Sequence, residues 1–237
     1  MLMDLNADLG EGGENDEALM PLIQRANIAC GGHAGDIESV RATIRLAKRY
    51  NVSIGGHPSY PDRDRFGRVE TGASSKEIYR FCCEQLRLLV QVAENEKVAI
   101  SHVKAHGALY HRVMTDALAA VAFLQAVESS VGPCAIMGLP NTPLEKLTRE
   151  KGWIYLAEMF ADRRYEPDGS LTPRSDSQAL IADENEAVAQ VLSVRDEGRI
   201  KTRTGQNIAL HANTVCVHGD GEHAVQLAQR LHSALGL

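Results

Sequence analysis

Four histidines in this sequence directly follow short apolar segments, and each stands close to glycine. They are His33, His57, His106 and His218. Imidazole titrates near neutral pH, so such a histidine can act as a general acid, a general base or a metal ligand. One histidine in this position is often structural, but four in equivalent positions predict a functional site. The other histidines weighed, His111, His223 and His232, fall in helical or peripheral contexts and are interpreted as structural.

The first apolar segment carries further polar side chains. If residues 1–9 form a strand, Asp4, Asn6 and Asp8 share one face because side chains alternate along a strand. Glu11 follows in a glycine-rich turn. On the inner face of a barrel, adjacent polar groups are costly unless they bind a ligand or are fully hydrogen-bonded. We therefore predict a ligand-binding role for this face, with an exposed edge strand as the structural alternative.

Charged side chains also end the fourth and sixth apolar segments. His102, Lys104 and His106 share one face where the fourth segment ends, and Glu158 ends the sixth. In parallel α/β folds, active sites lie at the carboxyl ends of the strands. We therefore predict Asp8, Lys104, His106 and Glu158 as the catalytic residues.

Two segments that follow predicted strands, 60–68 and 158–164, contain arginine. Guanidinium groups suit the planar geometry of carboxylates and phosphates. A solvated, salt-bridged loop is the alternative for each arginine. The predicted set for binding substrate or phosphate is Asn6, Glu11, His33, His57, Arg68, Arg163, His218 and Asp220.

Strand-like and helix-like segments alternate along the chain and would position these residues. The predicted strands are residues 1–9, 26–30, 52–55, 98–104, 133–138, 153–158 and 214–218. The predicted helices are residues 36–50, 74–95, 115–130, 142–151, 178–194 and 222–235, with a long loop at 162–175 and a hairpin at 199–210. This alternation predicts a parallel sheet covered by helices. About seven strands in one α/β domain, residues 1–237, favour a (β/α) barrel over a doubly wound open sheet.

Composition excludes several classes of protein. The 237 residues carry a net charge of −6 without a basic stripe, which argues against a nucleic-acid partner. Five cysteines without a C-x-x-C pair predict reduced thiols and a cytoplasmic location. We find no signal peptide and no apolar run long enough to cross a membrane. A P-loop, a dinucleotide fingerprint and a G-x-S-x-G elbow are also absent from the sequence.

Seven motifs, in order along nearly the whole chain, resemble those of the LamB/YcsF family, the A subunit of prokaryotic 5-oxoprolinase. They are Asp4-Leu-Asn-Ala-Asp-Leu-Gly-Glu11, Asn27-Ile-Ala-Cys-Gly-Gly-His-Ala-Gly-Asp36, His57-Pro-Ser-Tyr-Pro-Asp62, Phe66-Gly-Arg68, Val103-Lys-Ala-His-Gly-Ala-Leu-Tyr110, Glu158-Met-Phe-Ala-Asp-Arg-Arg-Tyr165 and Cys216-Val-His-Gly-Asp220. The sequence departs from the family at four positions. Gly32 stands where an aromatic residue is frequent and Arg65 where glycine is frequent, and Ala105 and His111 replace a frequent proline and a frequent asparagine.

The resemblance implies a seven-stranded α/β barrel similar to that of polysaccharide deacetylases, among the glycoside hydrolase-like barrels. It implies that the chain takes part in ATP-dependent cleavage of 5-oxo-L-proline to L-glutamate. ATP, with Mg²⁺, would be the co-substrate, and the 5-oxoprolinase subunits B and C would be the partners. Phosphorylation of the lactam oxygen would make C5 electrophilic, and this chain would position water against C5.

Roles for the predicted residues follow from that reaction. Asp8, Glu158 or His106 would act as general base. Lys104 and one histidine would neutralise charge on phosphate or oxyanion. The substrate carboxylate would bind one of three arginines. These are Arg65, Arg68 and Arg163.

Two alternative functions remain open at this point. One is a metal-dependent deacetylase or amidohydrolase that needs no ATP, with Asp8, His102 and His106 as ligands. Positions i and i+4 of a strand lie about 13 Å apart, which disfavours one ion shared by His102 and His106 unless the chain turns. We therefore predict no resident metal ion. The second alternative is a non-enzymatic subunit that binds 5-oxoproline while its partners perform the chemistry.

Overall fold

Seven parallel strands close into a barrel in the computed structural model, which describes residues 3–219 and 223–237. The strands of the described residues are β1 (Asp4–Leu9), β2 (Arg25–Ala29), β3 (Ser53–His57), β4 (Ile100–Lys104), β5 (Ala135–Gly138), β6 (Tyr155–Phe160), β7 (Arg199–Lys201), β8 (Asn207–Ala209) and β9 (Thr214–Val217). The barrel has the order β1-β2-β3-β4-β5-β6-β9, and β9 pairs with β1 to close it. Strands β7 and β8 form a separate antiparallel hairpin.

Helices fill the connections between the strands. The described helices are α1 (Asp16–Leu19), α2 (Ile37–Arg49), α3 (Ser75–Glu96), α4 (Gly107–Thr115), α5 (Ala117–Ser130), α6 (Pro143–Glu150), α7 (Glu184–Glu197) and α8 (Ala224–Leu235), and a 3₁₀ turn spans Met20–Leu22. Helices α2 and α3 begin at capping boxes formed by Asp36 and Ser74, which satisfy the first free backbone N–H groups. Among the described residues, none of the helices has the length and apolar character needed to span a membrane.

The barrel has an apolar outside and a polar inside. Along β1, Leu5, Ala7 and Leu9 are fully buried in the apolar core. Asn6 alternates with them, is equally buried, and hydrogen-bonds to Asn27 of β2. The period of two along a strand therefore sorts the chain into a packing face and a polar face.

Two adjacent glycines of β3 allow close packing on opposite faces of the strand. An added Cβ at Gly56 would lie 2.6 Å from Leu86 of α3, so this glycine lets the helix pack closely. An added Cβ at Gly55 would overlap the ring of His102 on the neighbouring strand. Gly55 therefore leaves the interior space that the imidazole fills, and no larger residue fits there without moving it.

The closed barrel and the hairpin confirm the sequence predictions, and the open-sheet alternative is wrong. The predicted helix 178–194 starts too early. Helix α7 begins only after its N-cap residue Asp183. Leu180, within the predicted helix, instead pairs with Arg163 in an isolated β-bridge. Helices α1 and α4 were not predicted. Helix α1 has four residues, and α4 begins at Gly107, a residue type that more often ends a helix. All five cysteines are free, as predicted.

Candidate active site

A lysine buried between two carboxylates lies inside the carboxyl-terminal end of the barrel. Lys104 is 2% exposed, and its Nζ lies 3.0 Å from Asp8 Oδ1 and 2.8 Å from Glu158 Oε1. Burial acts to lower the pKa of Lys104, but the carboxylates, Asp8 above all, hold that pKa well above its ordinary value. Lys104 is therefore an ammonium ion that neutralises charge and does not accept protons.

Beneath this ion pair, amide and imidazole groups form the floor of the site. Asn27 Nδ2 donates to Asn6 Oδ1 and to Asp8 Oδ1, each at 2.9 Å. His102 Nε2 lies 2.8 Å from Asn27 Oδ1, and its Nδ1 lies 2.7 Å from Ser101 Oγ. Burial, with lesser contributions from nearby cations, lowers the pKa of His102 to about 3, so the ring is neutral. Hydrogen bonds occupy both ring nitrogens of His102, so this ring offers no free nitrogen to the alternative metal set of Asp8, His102 and His106.

Above the ion pair, three histidines and Glu11 converge. Glu11 Oε1 lies 2.9 Å from His33 Nε2, 3.4 Å from His106 Nδ1 and 3.8 Å from His57 Nε2. His57 Nε2 lies 3.0 Å from His106 Nδ1 and 3.3 Å from Asp8 Oδ2. One ligand atom from each of these histidines and from Glu11 falls within 4.8 Å of the others, a spacing that a metal ion could bridge.

The charges of this cluster follow from its burial. Burial, together with His57, lowers the pKa of His33 to about 3 and that of His106 to about 2. Burial raises the pKa of Glu11, and the nearby Asp8 carboxylate raises it further. Burial also acts to raise the pKa of Asp8, but His57 and Lys104 together hold it well below its ordinary value. The site therefore contains the neutral imidazoles of His33 and His106 beside an ionised Asp8.

A cavity of about 470 Å³ opens above these groups. Its polar lining consists of Asp8, Glu11, Arg68, His106, Tyr110, His111, Arg163, Arg174, Ser175 and His218, and Phe160 and Leu171 contribute apolar surface. The cavity thus has Asp8, Glu11 and Arg68 at one side and the guanidinium groups of Arg163 and Arg174 at another. A small anionic molecule with one polar reacting group fits such a lining.

The arginine side of the cavity is held by specific contacts. Arg163 is 3% exposed and donates from Nη2 to the Thr172 carbonyl at 2.6 Å, whereas its buried Nε has no protein partner. Arg174 Nη2 lies 2.9 Å from His218 Nε2, and His218 Nδ1 lies 2.8 Å from Asp162 Oδ2. Since the guanidinium can only donate, His218 is held as the tautomer that donates from Nδ1 to Asp162.

The structure divides the four predicted catalytic residues into two layers. Asp8 and His106 line the cavity, whereas Lys104 and Glu158 lie beneath it and are not part of its wall. Glu158 is fully buried, and its Oε2 accepts a hydrogen bond from Tyr110 at 3.0 Å. Lys104 and Glu158 are therefore placed to position Asp8 and to balance its charge rather than to contact a substrate.

The predicted binding residues fall mostly around the same cavity. Glu11, Arg68, Arg163 and His218 line it; Asn6, His33 and His57 support those that do. Asp220 lies outside the described residues. Two sequence expectations need correction. Arg65 pairs with Asp62 at 2.8 Å and is not among the lining residues, and His111, interpreted as peripheral, lines the cavity.

Tyr110, Asp162 and Arg174 are among the residues of the site that were not predicted from the sequence. Arg174 lies in the arginine-containing segment that had been predicted as a loop, so its charge was the available signal. Tyr110 lies on α4, the helix that was not predicted. Asp162 follows β6 directly, in the same strand-end position that identified the histidines.

Replacing Lys104 tests how strongly the buried ion pair constrains the fold. We expect Lys104→Met to lower the free energy of unfolding by about 3–5 kcal/mol, because Asp8 and Glu158 lose their shared cation. The control Lys146→Met removes an exposed cation 3.9 Å from Glu150, and its effect should stay within about 0.5 kcal/mol. Urea unfolding measures both values. A loss below about 1 kcal/mol for Lys104→Met, by the same measurement, would contradict the proposed constraint.

Comparison with known proteins places the chain in a family. The sequence model of the LamB/YcsF family matches residues 3–236. A crystal structure of a lactam utilization protein from Thermus thermophilus is 34% identical, with a TM-score of 0.91 over 100% of this chain and 96% of that chain. A family 4 carbohydrate esterase from Streptomyces lividans, in complex with acetate, is 10% identical over 99% of this chain and 88% of that chain, and its TM-score of 0.47 is too low to support an inference. Because the family model spans residues 3–236, this chain belongs to the LamB/YcsF family.

Proposed function

We propose that this chain is the subunit of an ATP-dependent 5-oxoprolinase that opens the activated lactam ring of 5-oxo-L-proline to give L-glutamate. The observation that carries the proposal is the cavity with the Asp8–Glu11 carboxylate pair at one side and Arg163 and Arg174 at another. Membership of the LamB/YcsF family and the likeness to a lactam utilization protein support a lactam as the substrate.

ATP coupling is proposed because a lactam resists attack by water. Resonance in the amide lowers the electrophilicity of C5, and ring opening is not strongly favourable by itself. Phosphorylation of the lactam oxygen by ATP, as its Mg²⁺ complex, removes that resonance and makes C5 electrophilic. Since the sequence contains no P-loop, we assign the phosphorylation to the partner subunits B and C.

The carboxylate side of the cavity then activates water. Asp8 and Glu11 are the carboxylates on the wall, so we assign to this pair the proton that water loses as its oxygen bonds to C5. Both protons of the water reach the ring nitrogen, one by way of this pair and the other from the hydroxyl group of the tetrahedral intermediate as the C5–N bond breaks. This leaves an acyl phosphate with a free amine, and its hydrolysis yields L-glutamate and phosphate. His106 lines the cavity beside this pair.

The arginine side binds the negative charges of the activated substrate. Arg163 has an unpaired buried Nε–H, and Arg174 is already oriented by His218. Guanidinium groups bind carboxylate and phosphate oxygens through charge-assisted hydrogen bonds. Together with Arg68, which lines the same cavity beside Asp8 and Glu11, they account for one carboxylate and one phosphate without any cation from beneath the cavity. Lys104 acts on the reaction only through Asp8.

Glutamate release from 5-oxoproline by the complex tests this function. We expect release only when the chain, its partner subunits and ATP are all present. Asp8→Asn should lower kcat by about 10²–10⁴-fold, because the carboxylate pair loses its ionised member. The control His211→Gln, at an exposed histidine, should keep full activity. Release by the isolated chain without ATP would contradict the proposal and favour a metal-dependent amidohydrolase, as the histidine cluster allows.

Removing Arg174 tests the anion-binding side separately. Arg174 is exposed at the cavity mouth, so Arg174→Ala should fold normally. We expect KM for 5-oxoproline to rise about 10–100-fold, the equivalent of one charge-assisted hydrogen bond. Arg199→Ala, at an exposed arginine of the hairpin, is the matched control. Equal KM values for both variants and the parent protein would show that Arg174 does not bind the substrate.

A further inference from the structure

We propose that His57 Nε2, His106 Nδ1, Glu11 and Asp8 bind one divalent transition-metal ion of the Zn²⁺ class at the base of the cavity. The inference concerns the same site as the proposed function, but it rests on the geometry of these side chains and not on the reaction. The set differs from the one weighed from the sequence, which contained His102.

The first argument comes from the tautomers of two histidines. His57 Nδ1 lies 3.0 Å from the carbonyl oxygen of Lys104, and His106 Nε2 lies 3.0 Å from the carbonyl oxygen of Phe66. A carbonyl oxygen can only accept, so each of these nitrogens carries a hydrogen. A ring that carries its hydrogen at such a nitrogen presents the opposite nitrogen as the ligand atom when it binds a metal ion. These opposite nitrogens, His57 Nε2 and His106 Nδ1, lie 3.0 Å apart, a spacing that one ion can bridge.

Metal-binding histidines show the same arrangement. The ring nitrogen away from the metal usually donates to a carbonyl or carboxylate, which fixes the tautomer and the orientation of the ring. His57 and His106 both meet this condition through backbone carbonyls. Their rings stand at 85° to each other, so His57 Nε2 and His106 Nδ1 approach the space between the rings in different planes.

The second argument is the spacing of the oxygen donors. Glu11 Oε1 lies 3.4 Å from His106 Nδ1 and 3.8 Å from His57 Nε2, and Asp8 Oδ2 lies 3.3 Å from His57 Nε2. Donor atoms around a tetrahedral Zn²⁺ with bonds of about 2.0–2.1 Å stand about 3.4 Å apart. These spacings, and the 3.0 Å between His57 Nε2 and His106 Nδ1, surround that value, and Asp8 joins the group through its contact with His57. Two imidazoles with two carboxylates form a donor set that suits Zn²⁺ and its neighbours better than Mg²⁺.

His33 belongs to the support of the site and not to the ligands. Its ring is stacked on that of His106 at 3.6 Å with an angle of 3° between the planes. Lone pairs in two parallel stacked rings cannot point at one ion. His33 Nε2 instead lies 2.9 Å from Glu11 Oε1 and orients that carboxylate by donating to it. It is a positioning residue.

The third argument is the charge and the opening of the site. Lys104 lies between Asp8 and Glu158, so one cation already serves two carboxylates, and Glu11 adds a third. Asp8, Glu11 and His106 also line the cavity, so an ion among them has an open side toward a substrate. Such an ion would lower the pKa of bound water and would then take over the activation of water that the proposed function assigns to the Asp8–Glu11 pair.

Metal binding is tested without ATP, substrate or partner subunits. The purified chain is stripped with EDTA, desalted and titrated with ZnCl₂ in a calorimeter, and Co²⁺ absorption reports the donor geometry. We expect about one equivalent of Zn²⁺ and a four-coordinate Co²⁺ spectrum. His57→Gln and His106→Asn should each abolish this binding. His33→Asn should keep one equivalent with an affinity about 10–100-fold lower, as loss of a supporting hydrogen bond predicts.

The exposed His211 provides the matched control. His211→Gln should bind Zn²⁺ like the parent chain, and circular dichroism verifies that each variant is folded. Absence of stoichiometric binding, or binding that survives both His57→Gln and His106→Asn, would overturn the proposal. Either of these results leaves the ATP-coupled function standing, because glutamate release by the complex is measured independently.

Discussion

The arrangement of the rest of the barrel depends on the ion pair of Lys104 with Asp8 and Glu158. Removing three ionised groups from water costs several kcal/mol per ion unless each finds partners. Lys104 Nζ finds them in two carboxylates, in Asn6 Oδ1 at 3.4 Å and in Cys216 Sγ at 3.3 Å. These partners lie on β1, β6 and β9. The charge of Lys104 is therefore paired only when these three strands come together, and the same arrangement closes the barrel.

The layers of the site follow from that constraint. Asn27 and His102 complete the floor because Asp8 Oδ1 needs a second donor besides Lys104. Asp8 Oδ2 is then left to face His57 and the cavity. One oxygen of Asp8 is thus held by the buried ion pair, and the other is available for the proposed chemistry. Arg163 and Arg174, which are proposed to bind anions, come from outside this stack, beyond the end of β6, where the backbone has no regular period.

Sequence reasoning identified several residues that line the cavity because two simple rules hold in a parallel barrel. Side chains alternate along β1, and the carboxyl ends of all strands meet at one end of the barrel, so Asp8, His57 and His218 could be predicted to approach each other. The depth at which each side chain lies within the barrel could not be predicted from the sequence. Lys104 and Glu158 carry the same sequence signal as Asp8, but only the strand tilt and register place them beneath it.

The different positions of His102 and His106 in the site could not be predicted from the sequence either. Both were placed on one face of one strand, but β4 ends at Lys104, so His106 leaves the sheet as the residue that precedes α4. Gly107, with φ of 58°, makes that departure possible. Arg174 escaped for a different reason, because residues 161–183 follow neither the period of a strand nor that of a helix.

The central claim is that this cavity holds the lactam with C5 toward the Asp8–Glu11 pair. A crystal structure of the chain with 5-oxoproline tests it most directly. The account predicts the substrate carboxylate within hydrogen-bond distance of Arg163 or Arg174, and C5 on the side of Asp8 and Glu11. A ligand bound outside this cavity, or bound in it with C5 turned away from both carboxylates, would contradict the claim.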